Sequence, residues 1–168
     1  MNESKGMVDL AKRLVAYFSA TGTTGRVAER LAKAAGADLY QIVPAKAYTR
    51  ADLDWNDASS RTSVEKGDES SRPALAGGVP DVSGYDVVFV GFPIWWYVEP
   101  RIVDTFLEAC DLSGKTVVAF ATSGGSGISG ATKRIRTILP KARVLEGRAL
   151  NGAPSQRELS DWVDGLGL

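Results

Sequence analysis

Histidine is absent from this sequence, and cysteine occurs once. Without histidine there is no imidazole base for a Ser-His-Asp relay and no common zinc ligand set. One thiol can form neither an internal disulfide nor a cysteine metal cluster, so no metal site is expected. Charge of one sign is lacking too: twenty Lys and Arg balance twenty Asp and Glu, a formal net charge of +0. That evenness points away from nucleic acid and membrane surfaces as partners, and weakly against a shuttle that docks by acidity alone. No apolar run approaches the roughly 20 residues of a membrane span. The opening residues, Met1 to Arg13, are polar and carry no apolar signal segment, so the expected location is cytoplasmic. With no side-chain redox group to call on, any redox chemistry must come from a cofactor.

What is present suits one folded unit. The 168 residues and the apolar fraction of 44% are ordinary for a single globular domain. Residues 1–12 read as a polar leader and 13–168 as the domain. Short apolar runs at 14–18, 39–43, 87–91 and 115–121, with a shorter one at 142–145, have the pattern of strands buried on both faces. Between them the apolar residues take helical spacing: Val27, Ala28, Leu31, Ala32 and Ala35, then Ile102, Val103, Phe106, Leu107 and Cys110, then Ile135, Ile138 and Leu139. The last helix opens on Ser155-x-x-Glu158, a capping-box signature, and carries Leu159, Trp162, Val163 and Leu166 on one face. Strand–helix alternation of this kind predicts a doubly wound α/β fold, a five-stranded parallel sheet with helices on both faces. Residues 45–80 interrupt the pattern with a polar connection that holds at most one short helix near 60–66. A connection this long inside a domain is often functional.

In an open parallel sheet, ligands bind beyond the carboxyl ends of the strands. Three loops at that edge are unusual. After the first strand comes Ser19-Ala20-Thr21-Gly22-Thr23-Thr24, four hydroxyls around a glycine where a helix begins. Helix-terminal N–H groups and hydroxyls suit a phosphate dianion. The loop holds no Lys or Arg, so its N–H and O–H groups would meet the charge; the alternative is a plain Ser/Thr helix cap. It is neither a Walker loop nor a G-x-G-x-x-G fingerprint. After the third strand, Gly91-Phe92-Pro93-Ile94-Trp95-Trp96-Tyr97-Val98-Glu99-Pro100 sets three aromatics in a row, flat surfaces suited to stacking on a tricyclic ring; core packing with one partner-facing ring is the alternative. After the fourth, Thr122-Ser123-Gly124-Gly125-Ser126-Gly127 allows backbone amides close to a ligand, or serves only as a connector.

These motifs carry a resemblance. The Ser/Thr-x-Thr-Gly-x-Thr run at 19–24, Tyr48-Thr49, Asp52-Leu53-Asp54-Trp55, Ser60-Arg61, Gly91 to Trp96, Thr105-Phe106-Leu107 and Thr122 to Gly127 resemble a short-chain FMN-binding subgroup of the flavodoxin-like family. The resemblance implies strand order 2-1-3-4-5 in a three-layer αβα sandwich, and FMN as the cofactor. It implies phosphate held by Ser19, Thr21, Gly22, Thr23 and Thr24. The ring would be framed by Pro93, Ile94, Trp95, Trp96 and Tyr97, with Thr122, Ser123, Gly124, Gly125, Ser126 and Gly127 on its other side or polar edge. It also implies electron transfer, either as a carrier serving redox partner proteins or as an FMN-dependent NAD(P)H:quinone-type reductase with a small-molecule electron acceptor. A non-catalytic nucleotide- or anion-binding module on the same fold is a third reading.

Other residues have plainer readings. Cys110 lies on a helix's apolar stripe and reads as an inert core thiol. Asp52, Asp54, Asp57, Asp68 and Glu69 match no EF-hand spacing and read as a solvated loop. Tyr48 and Trp55 either pin the long connection or reach the cofactor. Glu99 is the one carboxylate placed to repel charge near the ring.

Overall fold

The computed structural model describes residues 12–168, so the leader assigned to 1–12 lies, except for Lys12, outside the described residues. Five strands alternate with five helices: β1 (Arg13–Tyr17), α1 (Thr23–Ala35), β2 (Asp38–Gln41), α2 (Arg61–Gly67), β3 (Val87–Pro93), α3 (Arg101–Ala109), β4 (Thr116–Thr122), α4 (Ser129–Ile138), β5 (Arg143–Ala149) and α5 (Gln156–Asp164). All pairings are parallel, in the order β2-β1-β3-β4-β5. This is the doubly wound sheet that the alternation predicts.

Alternate side chains of the strands feed two cores. Leu14, Ala16, Val88, Val90, Val117 and Ala119 face α3 and α4, meeting Ile102, Phe106, Ala131 and Ile135. Val15, Tyr17, Phe89, Val118 and Phe120 face α1 and α5, meeting Val27, Leu31, Leu159 and Val163. Trp162 completes that second core with its ring edge-on to Phe89. The capping box at Ser155 forms in full, with both reciprocal hydrogen bonds to Glu158.

Two differences from the sequence pattern matter. β3 and β4 run to Pro93 and Thr122, which pair as the last rung of the ladder, so Gly91, Phe92 and Pro93 of one expected loop and Thr122 of the other belong to the sheet. β5 is seven residues rather than four, and shifts register against β4 between Val118 and Phe120. There Gly147 brings the strands close: a Cβ on it would sit 2.5 Å from the Ala119 carbonyl oxygen.

Gly91 is more tightly constrained. It lies mid-strand in β3, and a Cβ there would stand against Cζ of fully buried Phe120, well inside van der Waals contact. Gly91→Ala is expected to cost about 2–3 kcal/mol of unfolding free energy by overpacking. Urea denaturation measures it, and Gly91→Ala paired with Phe120→Leu should recover most of the loss.

Candidate functional site

β1 lies between β2 and β3, and the chain leaves β1 toward one face of the sheet and β3 toward the other. The two loops therefore part at the carboxyl edge and open a crevice. Two hollows of about 500 Å³ and about 660 Å³ share Ala20, Thr21, Pro93, Ile94, Trp95 and Gly124, and so form one continuous cleft. Its size is that of a small-molecule site.

The first half of the cleft is prepared for an anion. α1 begins at Gly22, whose φ of 97° puts it in the left-handed region and lets the chain turn into the helix. No acidic residue occupies the first turn of α1. Ser19 Oγ accepts from the Gly22 and Gly25 amides at 3.0 and 3.1 Å, which fixes the loop and leaves the Thr23 and Thr24 amides of the first turn to another acceptor. Thr24 is buried and its hydroxyl is hydrogen-bonded to Thr122 Oγ1 at 2.7 Å, tying the loop to the end of β4. Thr21 and Thr23 are exposed on the cleft wall. Of the five expected phosphate residues, Thr21, Thr23 and Thr24 line the cleft, whereas Ser19 and Gly22 shape the loop behind it.

The second half is aromatic. Leu53, Trp55, Trp95, Trp96 and Tyr97 line it, and no Asp, Glu, Lys or Arg does. Trp95 packs edge-on against Phe18 and Tyr48 and so roots in the core. Trp95 and Val98 exchange backbone hydrogen bonds at 3.1 and 3.4 Å, closing a hairpin over Trp96 and Tyr97. Both central residues have positive φ, 51° and 71°. Mirror-image turns of this kind favour Asn-Gly, and bulky aromatics there are strained. The surroundings hold the strain in place. Gly130 of α4 packs so closely that a Cβ would lie 2.7 Å from the Tyr97 carbonyl, and the Lys66 ammonium lies 5.6 Å from the Trp96 ring centroid. Tyr97 is 71% exposed, so little packing offsets its strain. Replacing the pair by Trp96→Asn with Tyr97→Gly is expected to stabilise the free protein by about 1 kcal/mol while weakening whatever stacks in the cleft. Thermal unfolding and ligand titration of the same double variant test both signs.

The glycine-rich loop is ordered by a residue that the sequence pattern does not flag. Ser123 N donates to Asn151 Oδ1 at 2.7 Å, and Asn151 Nδ2 donates to Ser123 Oγ at 3.2 Å. Ser123 Oγ in turn accepts from the Gly125 amide and donates to the Ser126 carbonyl. Ser123, Gly124 and Ser126 line the cleft, while Gly125 (φ 135°) and Gly127 shape the turn. Leu150, Asn151, Gly152 and Ala153 add a fourth wall after β5. The Asn-Gly turn signal at 151–152 marks this loop, and it too leaves the carboxyl edge. Arg26 and Arg30, from α1, also line the first half, although neither belongs to a loop motif.

The long connection closes on itself. Pro44 bridges Leu75, with Ala45 N donating to Ala74 O and Ala76 N to Val43 O, both at 2.8 Å. Between these ends α2 starts at Ser60, which accepts from the Ser63 amide, and its carboxyl end is held by Arg101, which donates to the Glu65, Lys66 and Asp68 carbonyls. Asp52, Asp57 and Asp68 each accept backbone N–H bonds within their own turns. Tyr48 and Trp55 separate in role. Tyr48 is a clamp: its hydroxyl donates to Glu65 Oε1 at 2.6 Å and the Arg61 guanidinium lies 3.8 Å over its ring. Burial pushes its phenol well above the ordinary range. Trp55 stands on the cleft rim, 69% exposed.

Glu99 does not face the cleft. It is 1% exposed and bonded to Arg134 of α4, whose Nε donates to Glu99 Oε2 at 3.1 Å and Nη2 to Asp104 Oδ2 at 2.8 Å. Burial, then the neighbouring Asp104, pushes the Glu99 carboxyl up to about 9. The residue thus braces the end of the aromatic turn against α4. Cys110 is buried, and desolvation pushes its thiol up to about 11, as expected of an inert core residue.

A switch-point cleft with an anion-ready helix start at one end and aromatic walls at the other defines a flavodoxin-like protein; flavodoxins themselves exemplify the rule for this strand order. The flavodoxin family model matches residues 12–166, and the chain belongs to that family. A crystal structure from Bacteroides eggerthii assigned as a flavoprotein is 49% identical with a TM-score of 0.90, covering 95% of this chain and 99% of that one. One from Bacteroides uniformis, assigned likewise, is 51% identical with a TM-score of 0.88, covering 92% and 98%. A Lactobacillus acidophilus flavoprotein in complex with FMN shares the fold at 18% identity and a TM-score of 0.68, covering 91% of this chain and 99% of that one. No curated protein matches the chain. Among the described residues, no helix is long and apolar enough to cross a membrane.

Proposed function

We propose that the cleft holds one FMN and that the protein transfers electrons through it. The observation that carries this reading is the division of the cleft by charge. One half offers helix amides, Thr21 and Thr23 hydroxyls and Arg26, with no carboxylate; the other offers aromatic walls with no Asp, Glu, Lys or Arg. A phosphorylated tail joined to a neutral flat ring fits that division and few other ligands do. The family and the FMN-bound structural neighbour agree with it.

Bound FMN supplies one- and two-electron chemistry that no side chain here can perform. The protein's part is to bind and to tune. The first turn of α1 takes the phosphate, Trp95 and Trp96 offer stacking faces, and the Gly124 and Ser126 N–H groups, not used in the turn's own bonds, are left for the polar edge. Aromatic walls without a cation disfavour added negative charge on the ring and so shift its potentials.

A second reading, an FMN-dependent reductase acting on a small-molecule acceptor, is favoured by Trp55 and Tyr97. Both are exposed at the rim, where a flat acceptor could stack beside the cofactor. A reductive titration of the FMN-loaded protein separates the two. Two well-spaced one-electron steps support the carrier reading; a single merged two-electron step, with rapid oxidation of NAD(P)H by quinone, would overturn it in favour of the reductase.

A further inference from the structure

We infer that Arg26 is the charged partner of the FMN phosphate and sets the protein's preference for FMN over uncharged riboflavin. The inference rests on the FMN reading above and adds a residue to it. Residues 19–24 contain no cation, so from the loop alone phosphate would be met only by N–H and O–H groups.

The structure brings a guanidinium back onto that loop from one turn further along α1. Arg26 Nη1 lies 3.2 Å from where a Cβ on Gly22 would stand, and its Nη2 is 3.5 Å from Thr23 Oγ1. It lines the first half of the cleft beside Thr21 and Thr23. Glycine at 22 is required by its positive φ, and the Arg26 guanidinium lies close over it.

Electrostatics explains why the arrangement needs a ligand. The start of a helix carries partial positive charge, so a cation folded over it is repelled. No acidic residue in the first turn relieves that repulsion, and no carboxylate of the described residues lines this half of the cleft. An anion between the helix start and the guanidinium turns two repelling features into two attractive ones. The second cation nearby is already engaged, since Arg30 Nη1 donates to the Pro154 carbonyl at 3.1 Å and holds the loop that follows β5. Arg26 is the one left facing the loop.

A phosphate carries this contact and riboflavin, which lacks one, does not. The test is an equilibrium titration of the flavin-free protein with FMN and with riboflavin, using wild type, Arg26→Gln and Arg26→Lys. Arg26→Gln is expected to lose roughly tenfold to a hundredfold in FMN affinity with riboflavin affinity unchanged, as loss of a charge-assisted bond requires. Arg26→Lys should keep part of the preference. Wild-type FMN affinity should fall as ionic strength rises toward about 1 M, where screening acts over about 3 Å, and the glutamine variant should respond less. The melting temperature of the flavin-free glutamine variant should equal or exceed that of wild type, since a repelled cation is removed. An unchanged FMN-to-riboflavin ratio in Arg26→Gln, or equal losses for both flavins, overturns the inference while leaving FMN binding intact. Failure of wild type to bind FMN would instead remove the reading beneath it.

Discussion

Arg134→Leu is expected to destabilise the fold by about 1–3 kcal/mol, the cost of leaving buried carboxyl groups without their donor. Among the described residues Arg134 is the only cation bonded to Glu99, and it also reaches Asp104 and, at 2.8 Å, exposed Glu69. Asp104 keeps Arg101 and Arg72 at 3.8 and 4.0 Å, so the loss falls mainly on Glu99. No nitrogen or hydroxyl donor reaches Glu99 Oε1 or Asp104 Oδ1 among the described residues, so the proton on Glu99, shared with Asp104, is what joins the two carboxyls. The damage has a direction in pH. Glu99 titrates above its ordinary value in the folded protein, so the folded state favours its proton. Its contribution to stability is full below the ordinary carboxylate pKa and is lost as pH rises toward about 9. Without Arg134 the charged form is less tolerated still, so Glu99's share of the deficit should be flat below about 9, where both folded proteins hold the proton, and grow as pH rises past it. Glu99→Gln, a mimic of the protonated carboxyl, should remove this slope. Urea unfolding of wild type and both variants at several pH values checks it; a deficit in Arg134→Leu that shrinks as pH rises would contradict the account.

Thr21→Asp should abolish FMN binding under ordinary assay conditions. Thr21 is exposed and borders both halves of the cleft. A carboxylate there meets the phosphate at close range. Two like charges about 4 Å apart repel by about 4 kcal/mol at the effective dielectric of a protein surface, which is about a thousandfold in affinity. The flavin-free protein should respond oppositely. A negative charge beside the start of α1 is favourable there, so its stability should hold or rise by about 0.5 kcal/mol. Thr21→Asn, neutral and of similar size, should lose far less affinity. Titration with FMN and thermal unfolding of the flavin-free variants measure the two effects independently.

The sheet is legible in the sequence because its strands are buried on both faces, which leaves unbroken apolar runs between amphipathic helices. Strand ends are less legible. Pro93 and Thr122 look like loop residues, and only their pairing across β3 and β4 places them in the ladder. β5 reads short because Glu146, Gly147 and Arg148 carry no apolar signal at the sheet edge. In the site, Ser19 to Thr24 and Trp95 to Tyr97 stand out by composition. Arg26, Asn151 and Trp55 reach the cleft through tertiary structure, the first by folding back along its helix and the others from loops far away in sequence. Glu99 shows the converse. Its place after the aromatic turn suggests the ring, but β3 and the turn aim it at α4, and Arg134 takes it into the interior.

The central claim is that this cleft takes FMN, phosphate against α1 and ring among the tryptophans. Fluorescence titration of the flavin-free protein with FMN tests it most directly. The account predicts saturable quenching of flavin emission at one FMN per chain, from stacking on Trp95 or Trp96, and its near loss in Thr21→Asp. Flavin emission that stays unquenched on adding wild-type protein, or quenching that Thr21→Asp leaves intact, would contradict it.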